Sequence, residues 1–213
     1  MSDSFELWLA QLAYQTPDER IKQLETSPYA SQFMIDDQFN NDEFFSIVSL
    51  DTSQDPALYN VHRGTKVYED IGTDILLAAN RLHETDRYRS AENASLGAQR
   101  KWNTGNVTEV GHSLGGTLAQ DLAIAHGNKS VSYNMGTTPL RNYSGIDREK
   151  HAHHVIHGDF VSQFDNSTNA SVTFKPSVFD RFQNNRLFPM PMSFSEKLYQ
   201  GFSNHFLQNF VKT

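Results

Sequence analysis

The chain has 213 residues, 38% of them apolar and 12% aromatic, with a formal charge of −7, which is enough for one sizeable core and short for two comfortable domains. The acidic balance, with no basic patch, argues against a nucleic-acid partner and against electrostatic docking onto anionic lipid, so any lipid contact would be local and hydrophobic. There are no cysteines, which excludes disulfides, thiolate catalysis and zinc–thiolate sites.

The opening stretch, MSDSFELWLAQLAYQ, carries Asp3 and Glu6 and lacks both a basic n-region and an uninterrupted apolar run. It does not read as a secretory signal. Nowhere do about eighteen apolar residues follow one another, as a membrane-spanning helix requires. The expected location is intracellular and cytoplasmic, with release by lysis or carriage in a particle left open. Phe5, Trp8, Leu9 and Leu12 recur at helical spacing, and this stripe reads as core packing rather than a lipid anchor. Thr16-Pro17-Asp18-Glu19 has the form of an N-cap, a first-turn proline and acidic first-turn residues, predicting a second helix to about Glu25. Residues 1–43 are expected to be an N-terminal helical segment packed on a single domain spanning 1–213.

Residues 44–50 (FFSIVSL) and 58–62 are strand-like, separated by turn chemistry at 51–56. From Asp70 the pattern turns helical through Ile71, Ile75, Leu76, Ala79 and Leu82, continuing with a break to Trp102. After a turn at 103–106 comes a short strand at 107–110, then a helix over 118–125 that Gly127 terminates. Strands are also expected at 130–134 and 154–157. Strands alternating with helices predict an α/β domain in three layers, a mostly parallel sheet flanked by helices.

Gly111-His112-Ser113-Leu114-Gly115 sits between the 107–110 strand and the following helix. A serine on so sharp a turn needs small residues two before and two after it, and the turn lifts its hydroxyl above the sheet. The backbone N–H of the next residue, Leu114, would face a developing oxyanion. The bare pattern is weakly specific; the strand–turn–helix setting and the additional Gly116 strengthen it. Glu109 runs against it, because a buried parallel strand is ordinarily apolar there. Either the strand is short and partly solvated or Glu109 has a buried partner.

A serine nucleophile needs a histidine base, and the base an acid that holds its tautomer. In α/β-hydrolases the chain order is Ser, acid, His. His205 is the sole histidine after residue 157 and is singled out as the base by that order; the bland alternative is a surface histidine. Asp159 follows an apolar strand and a glycine and is the favoured acid, with Asp147, Asp165 and Asp180 as competitors. His151, His153, His154 and His157 invite a metal reading, but strand alternation would divide them between faces, so neither metal nor cofactor is expected.

With the serine placed, several segments in the same order resemble the class 3 lipases, the fungal-type triacylglycerol lipase family. They are YNVHRGT at 59–65, DIGTDIL at 70–76, VGHSLGG at 110–116, YNMGTTP at 133–139, HGDFV at 157–161 and SNHFLQNF at 203–210. The resemblance implies an α/β-hydrolase fold and a Ser113–Asp159–His205 triad acting on acylglycerol or phospholipid esters. It also implies that Thr65 lends its backbone N–H, and its hydroxyl, to an oxyanion hole shared with Leu114. The chain departs from the family in being shorter than secreted members, lacking their cysteines, and carrying Leu140 where an arginine is common. Residues 187–194 (LFPMPMSF) form an apolar, proline-interrupted loop suited to acyl chains, a lipid interface or plain core packing. Two other functions remain: an esterase or acyltransferase on small soluble esters, and a catalytically silent α/β-hydrolase domain used for binding or structure.

Overall fold

A computed structural model describes residues 5–51, 53–65, 82–136, 147, 149–156 and 172–174. Helices α1 (Phe5–Leu12) and α2 (Pro17–Glu25) come first. Thr16 caps α2 through a reciprocal box: its Oγ1 accepts the Glu19 N–H at 3.3 Å, and Glu19 Oε2 accepts the Thr16 N–H at 3.0 Å. Strands β1 (Phe33–Asn40), β2 (Phe44–Ser49) and β3 (Leu58–His62) follow, then helix α3 (Asp86–Trp102) and strand β4 (Val107–His112). Helix α4 (Leu114–His126) and strands β5 (Lys129–Tyr133), β6 (His151–Ile156) and β7 (Val172–Phe174) complete the described elements. Gly127 ends α4 at φ 74°, a conformation that costs glycine nothing.

The seven strands form one sheet in chain order, β1 to β7. The β1–β2 and β2–β3 pairings are antiparallel; the four from β3 to β7 are parallel. The protein is therefore of the α/β class, with a mostly parallel sheet and an antiparallel edge. Helix α1 packs on β3, β4 and β5, and α2 on β1, while α3 and α4 pack on β2 to β5. Strand alternation assigns these pairs to opposite faces, giving three layers. Phe45, Ile47, Val61, Val110 and Tyr133 point toward Leu9 and Leu12 of α1 and Leu24 of α2 in one apolar core. On the other face Val48, Leu58 and Val107 meet Ala98 of α3, and a separate cluster joins Ala91 to Leu114, Leu118 and Leu122. No helix among the described residues is long and apolar enough to cross a membrane.

The expected strands and helices at 44–50, 58–62, 107–110 and 118–125 are present within a few residues, and the α1 stripe packs inward as core. Phe5 and Trp8 join Tyr29, Phe33 and Tyr59 in an aromatic cluster over that core. The expectation of a helical segment over 1–43 is corrected: helix ends at Glu25, and residues 33–40 are the edge strand β1. The β1–β2 register shifts between Ile35 and Asn40, so β1 lacks a clean alternation. Asp36 is buried there because Lys101 Nζ and Trp102 Nε1 each donate to it at 2.7 Å. The expected helix from Asp70 lies mostly outside the described residues; its far end is a 3-10 turn at Leu82–Glu84, leading into α3.

Arg20 is fully buried and fastens α2 to its neighbours. Its guanidinium donates to the carbonyls of Leu12 and Ala13 at the end of α1 and of Asn41 in the β1–β2 turn. Burial lowers its pKa to about 10, which still leaves it charged at neutral pH.

Candidate active site

Ser113 occupies the single residue between β4 and α4, at φ 57° and ψ −128°. Non-glycine residues avoid this region, and holding one there costs on the order of 1–3 kcal/mol. Its backbone is over-determined on both sides. The Ser113 N–H donates to the Tyr133 carbonyl at 3.0 Å, and its own carbonyl accepts from Gly116, Thr117 and Gly136 at 3.0–3.2 Å. The hydroxyl does not cap α4, although serine is a favoured cap. The turn closes because the neighbouring residues lack side chains: a Cβ on Gly111 would overlap the Gly115 carbonyl, and one on Gly115 the His62 carbonyl.

The segment after β3 is pressed against this turn. A Cβ on Gly64 would lie 2.7 Å from the His112 carbonyl oxygen and 3.1 Å from Ser113 Cβ, closer than packing allows. Gly64 thus brings the 63–65 turn against Ser113, and Thr65 comes next, partly buried. Leu114 is the first residue of α4, so its N–H has no carbonyl one turn earlier to bond. His112 is held from the α1 side, where Tyr14 Oη lies 2.7 Å from its Nδ1.

Glu109 is fully buried and has partners on every side, which settles the alternative left open by its sequence position. His62 Nε2 lies 2.8 Å from Oε2, and Asn60 Nδ2, Asn128 Nδ2 and Ser95 Oγ donate to Oε1. Ser46 Oγ in turn donates to Asn60 Oδ1 at 2.8 Å. With a carboxylate as acceptor, the His62 Nε2 must carry a proton. The pair joins the last residue of β3 to the strand that ends in Ser113. Neither His62 nor Arg87, discussed below, stood out in the sequence, since no local pattern marks a partner 47 positions away.

The histidines of β6 are individually engaged. His151 Nδ1 lies 3.0 Å from Ser130 Oγ, and His153 Nε2 accepts the Met135 N–H at 3.3 Å. His154 is on the other face, its ring stacked on Tyr133 with centroids 4.9 Å apart. Burial drives its pKa down to about 4, with His153 adding to the shift. Among the described residues no group of three or more histidines, aspartates or glutamates could hold a metal ion.

Asp147 bonds the Glu149 N–H in the turn that opens β6, at the N-terminal edge of the parallel strands. Ser113 leaves β4 at the opposite edge, roughly 15 Å away at 3.3 Å per residue. That separation keeps Asp147 from direct contact with Ser113. Asp159, Asp165, Asp180, His205, His157 and the 187–194 loop lie outside the described residues.

No protein-family model matches the chain, and no curated protein matches it.

Proposed function

We propose that the protein is a serine hydrolase of the α/β-hydrolase type, cleaving carboxylic esters of lipids such as acylglycerols or phospholipids through an acyl-enzyme. The observation that carries this reading is the backbone of Ser113: a strained, positive-φ serine between a parallel strand and a helix, with its hydroxyl left out of the cap. Strain of that size persists where function needs the side chain presented. A silent binding domain would gain from relaxing it.

In the proposed reaction Ser113 Oγ attacks the ester carbonyl carbon while its proton passes to His205. The tetrahedral oxyanion accepts hydrogen bonds from the N–H groups of Leu114 and Thr65, where preorganised donors act most strongly. Collapse breaks the bond to the alcohol, which leaves with the proton from His205. Water, deprotonated by the same imidazole, then attacks the acyl-enzyme and releases the acid and free Ser113. Asp159 holds the imidazole; β6 ends at Ile156 on the sheet edge where Ser113 emerges, three residues ahead of this aspartate. The lipid substrate rests on the resemblance to class 3 lipases and on the apolar character of residues 187–194.

The test is a fluorophosphonate probe together with nitrophenyl esters of short and long acyl chains. The native protein should be labelled stoichiometrically and turn over long-chain esters. Ser113→Ala should lose labelling and about 10⁶-fold in turnover. Labelling that survives this substitution overturns the assignment. Turnover confined to acetate esters overturns the lipid part and leaves a soluble esterase.

A further inference from the structure

We propose that Arg87 is a positioning residue for the oxyanion turn, acting through the Arg63 carbonyl and never touching substrate. The inference rests on the serine-hydrolase reading, in which the Thr65 N–H is an oxyanion donor.

Beyond His62 the parallel ladder stops: His62 pairs with Gly111, and Arg63 has no strand partner on β4. The backbone of 63–65 must then be satisfied by other means. The Arg63 N–H donates to the Glu43 carbonyl at 3.0 Å. The Arg63 carbonyl accepts from Nη2 of Arg87, on the first turn of α3. Among the described residues the Gly64 carbonyl accepts only a long contact, 3.4 Å, from Arg63 Nε. Arg87 is thus the one described group from another helix that grips this turn, and it grips the peptide immediately before Gly64.

Arg87 is well placed for such a role. Arg87 lines a small cleft with Glu43, Phe44, His62, Ser90 and Leu118. No carboxylate among the described residues bonds it; Nε–H has no described partner at all. Burial lowers its pKa, with Glu43 opposing the shift. A largely buried arginine whose single described hydrogen bond goes to a main-chain carbonyl is serving the backbone. Behind that backbone, Gly64 is packed against Ser113 Cβ and the His112 carbonyl. A relaxed Arg63 peptide would let Gly64 back away and carry the Thr65 N–H with it. Oxyanion donors act only within about 2.7–3.1 Å of the developing charge, so a small retreat matters.

The experiment compares Arg87→Met and Arg87→Lys with the native protein in four respects: kcat and KM for a short nitrophenyl ester, fluorophosphonate labelling rate, melting temperature, and amide exchange across 63–65. Arg87→Met should lower kcat and the labelling rate on the order of tenfold, as misplaced catalytic groups do. KM should stay within about twofold, because ground-state binding does not use the turn. Arg87→Lys, which keeps a charged donor, should recover part of kcat. Exchange across 63–65 should quicken in Arg87→Met well below its melting temperature. Unchanged kcat in Arg87→Met, or a loss shared equally by kcat and KM with both variants alike, overturns the inference while Ser113 labelling upholds the hydrolase reading. Absence of labelling in the native protein overturns that reading instead. Exchange then decides on Arg87 alone, and unchanged exchange across 63–65 overturns its part in holding the turn.

Discussion

The two faces of the sheet beneath Ser113 differ in chemistry. Toward α1 and α2, the side chains of β2 to β5 include Phe45, Ile47, Val61, Val110, Val131 and Tyr133, which pack with leucines, and His112, which meets Tyr14. Toward α3 and α4, the same strands present Ser46, Asn60, His62, Glu109, Ser130 and Ser132, all buried, beside the apolar Val48, Leu58 and Val107. The first face holds together by removing apolar surface from water and tolerates any side chain of similar volume. The second adds a buried polar set around Glu109 whose loss would be costly, since an unmatched buried group costs more than a matched one contributes. Stability and the placing of β3 against β4 thus reside on different sides of one sheet.

The largest expected effect lies on the polar face. Glu109→Ala removes the acceptor of Ser95, Asn128 and His62 and one of two acceptors of Asn60 Nδ2, and should destabilise by about 3–5 kcal/mol, since each buried donor left unmatched costs about 1–3 kcal/mol. Replacing two members, Glu109→Val with His62→Phe, removes the His62 donor but leaves Ser95 and Asn128 without that acceptor, so it should recover only part of the loss. Urea midpoints of the single and double variants check this. A double variant as unstable as the single one would mean that the cost falls on Ser95 and Asn128 and not on His62. On the apolar face Phe45→Ala should also cost about 3–4 kcal/mol through a cavity over Arg20, but no second substitution of polarity should repair it.

Acid should attack the apolar face through one residue. His154 stacks on Tyr133 with its pKa lowered by burial from 6.5 to about 4. The unfolded chain therefore takes up this proton first as pH falls. The stabilisation is complete above pH 6.5, is lost on descent through the interval to about pH 4, and falls no further below it. Its ceiling is about 3 kcal/mol by proton linkage. His154→Phe keeps a ring on Tyr133 and should flatten the melting-temperature profile between pH 7 and 4. A profile as steep as the native one would place the proton uptake elsewhere, with His151, also lowered by burial, next in line.

How much of this was legible in the sequence follows the same division. The Ser113 turn could be read because its signals are local: glycines two before and two after Ser113, a strand ahead, a helix behind. Helix α2 was legible from Thr16, Pro17 and Glu19 for the same reason. Strand β1 was not, because Asp36 breaks its alternation and is explained only by Lys101 and Trp102, 65 and 66 positions away. Glu109 stood out as an anomaly without revealing His62, and Arg87 and Arg20 gave no signal. Their partners are mostly main-chain carbonyls, which every residue possesses and no pattern marks. The acid and base assigned to Ser113 rest on chain order and on the edge at which β6 ends.

The smallest effect sharpens the comparison most. Ser95, on α3, donates to Glu109 Oε1 and accepts from Asn60 Nδ2 at 2.7 Å, so it is one of several supports for a single carboxylate oxygen. In Ser95→Ala, Oε1 keeps Asn60 and Asn128, each at 3.2 Å, and Asn60 Nδ2 keeps Glu109. No group is orphaned, and the loss should be about 1 kcal/mol, that of one ordinary hydrogen bond. Matching by redundant donors makes a further prediction about coupling. In a Glu109→Gln background the acceptor is neutral and charge-assisted bonds weaken, so Ser95→Ala should then cost measurably less. A double-mutant cycle on urea midpoints reads the difference directly. If the cost of Ser95→Ala is the same in both backgrounds, the serine acts by packing alone, and the polar face is a set of separate contacts rather than one network around Glu109.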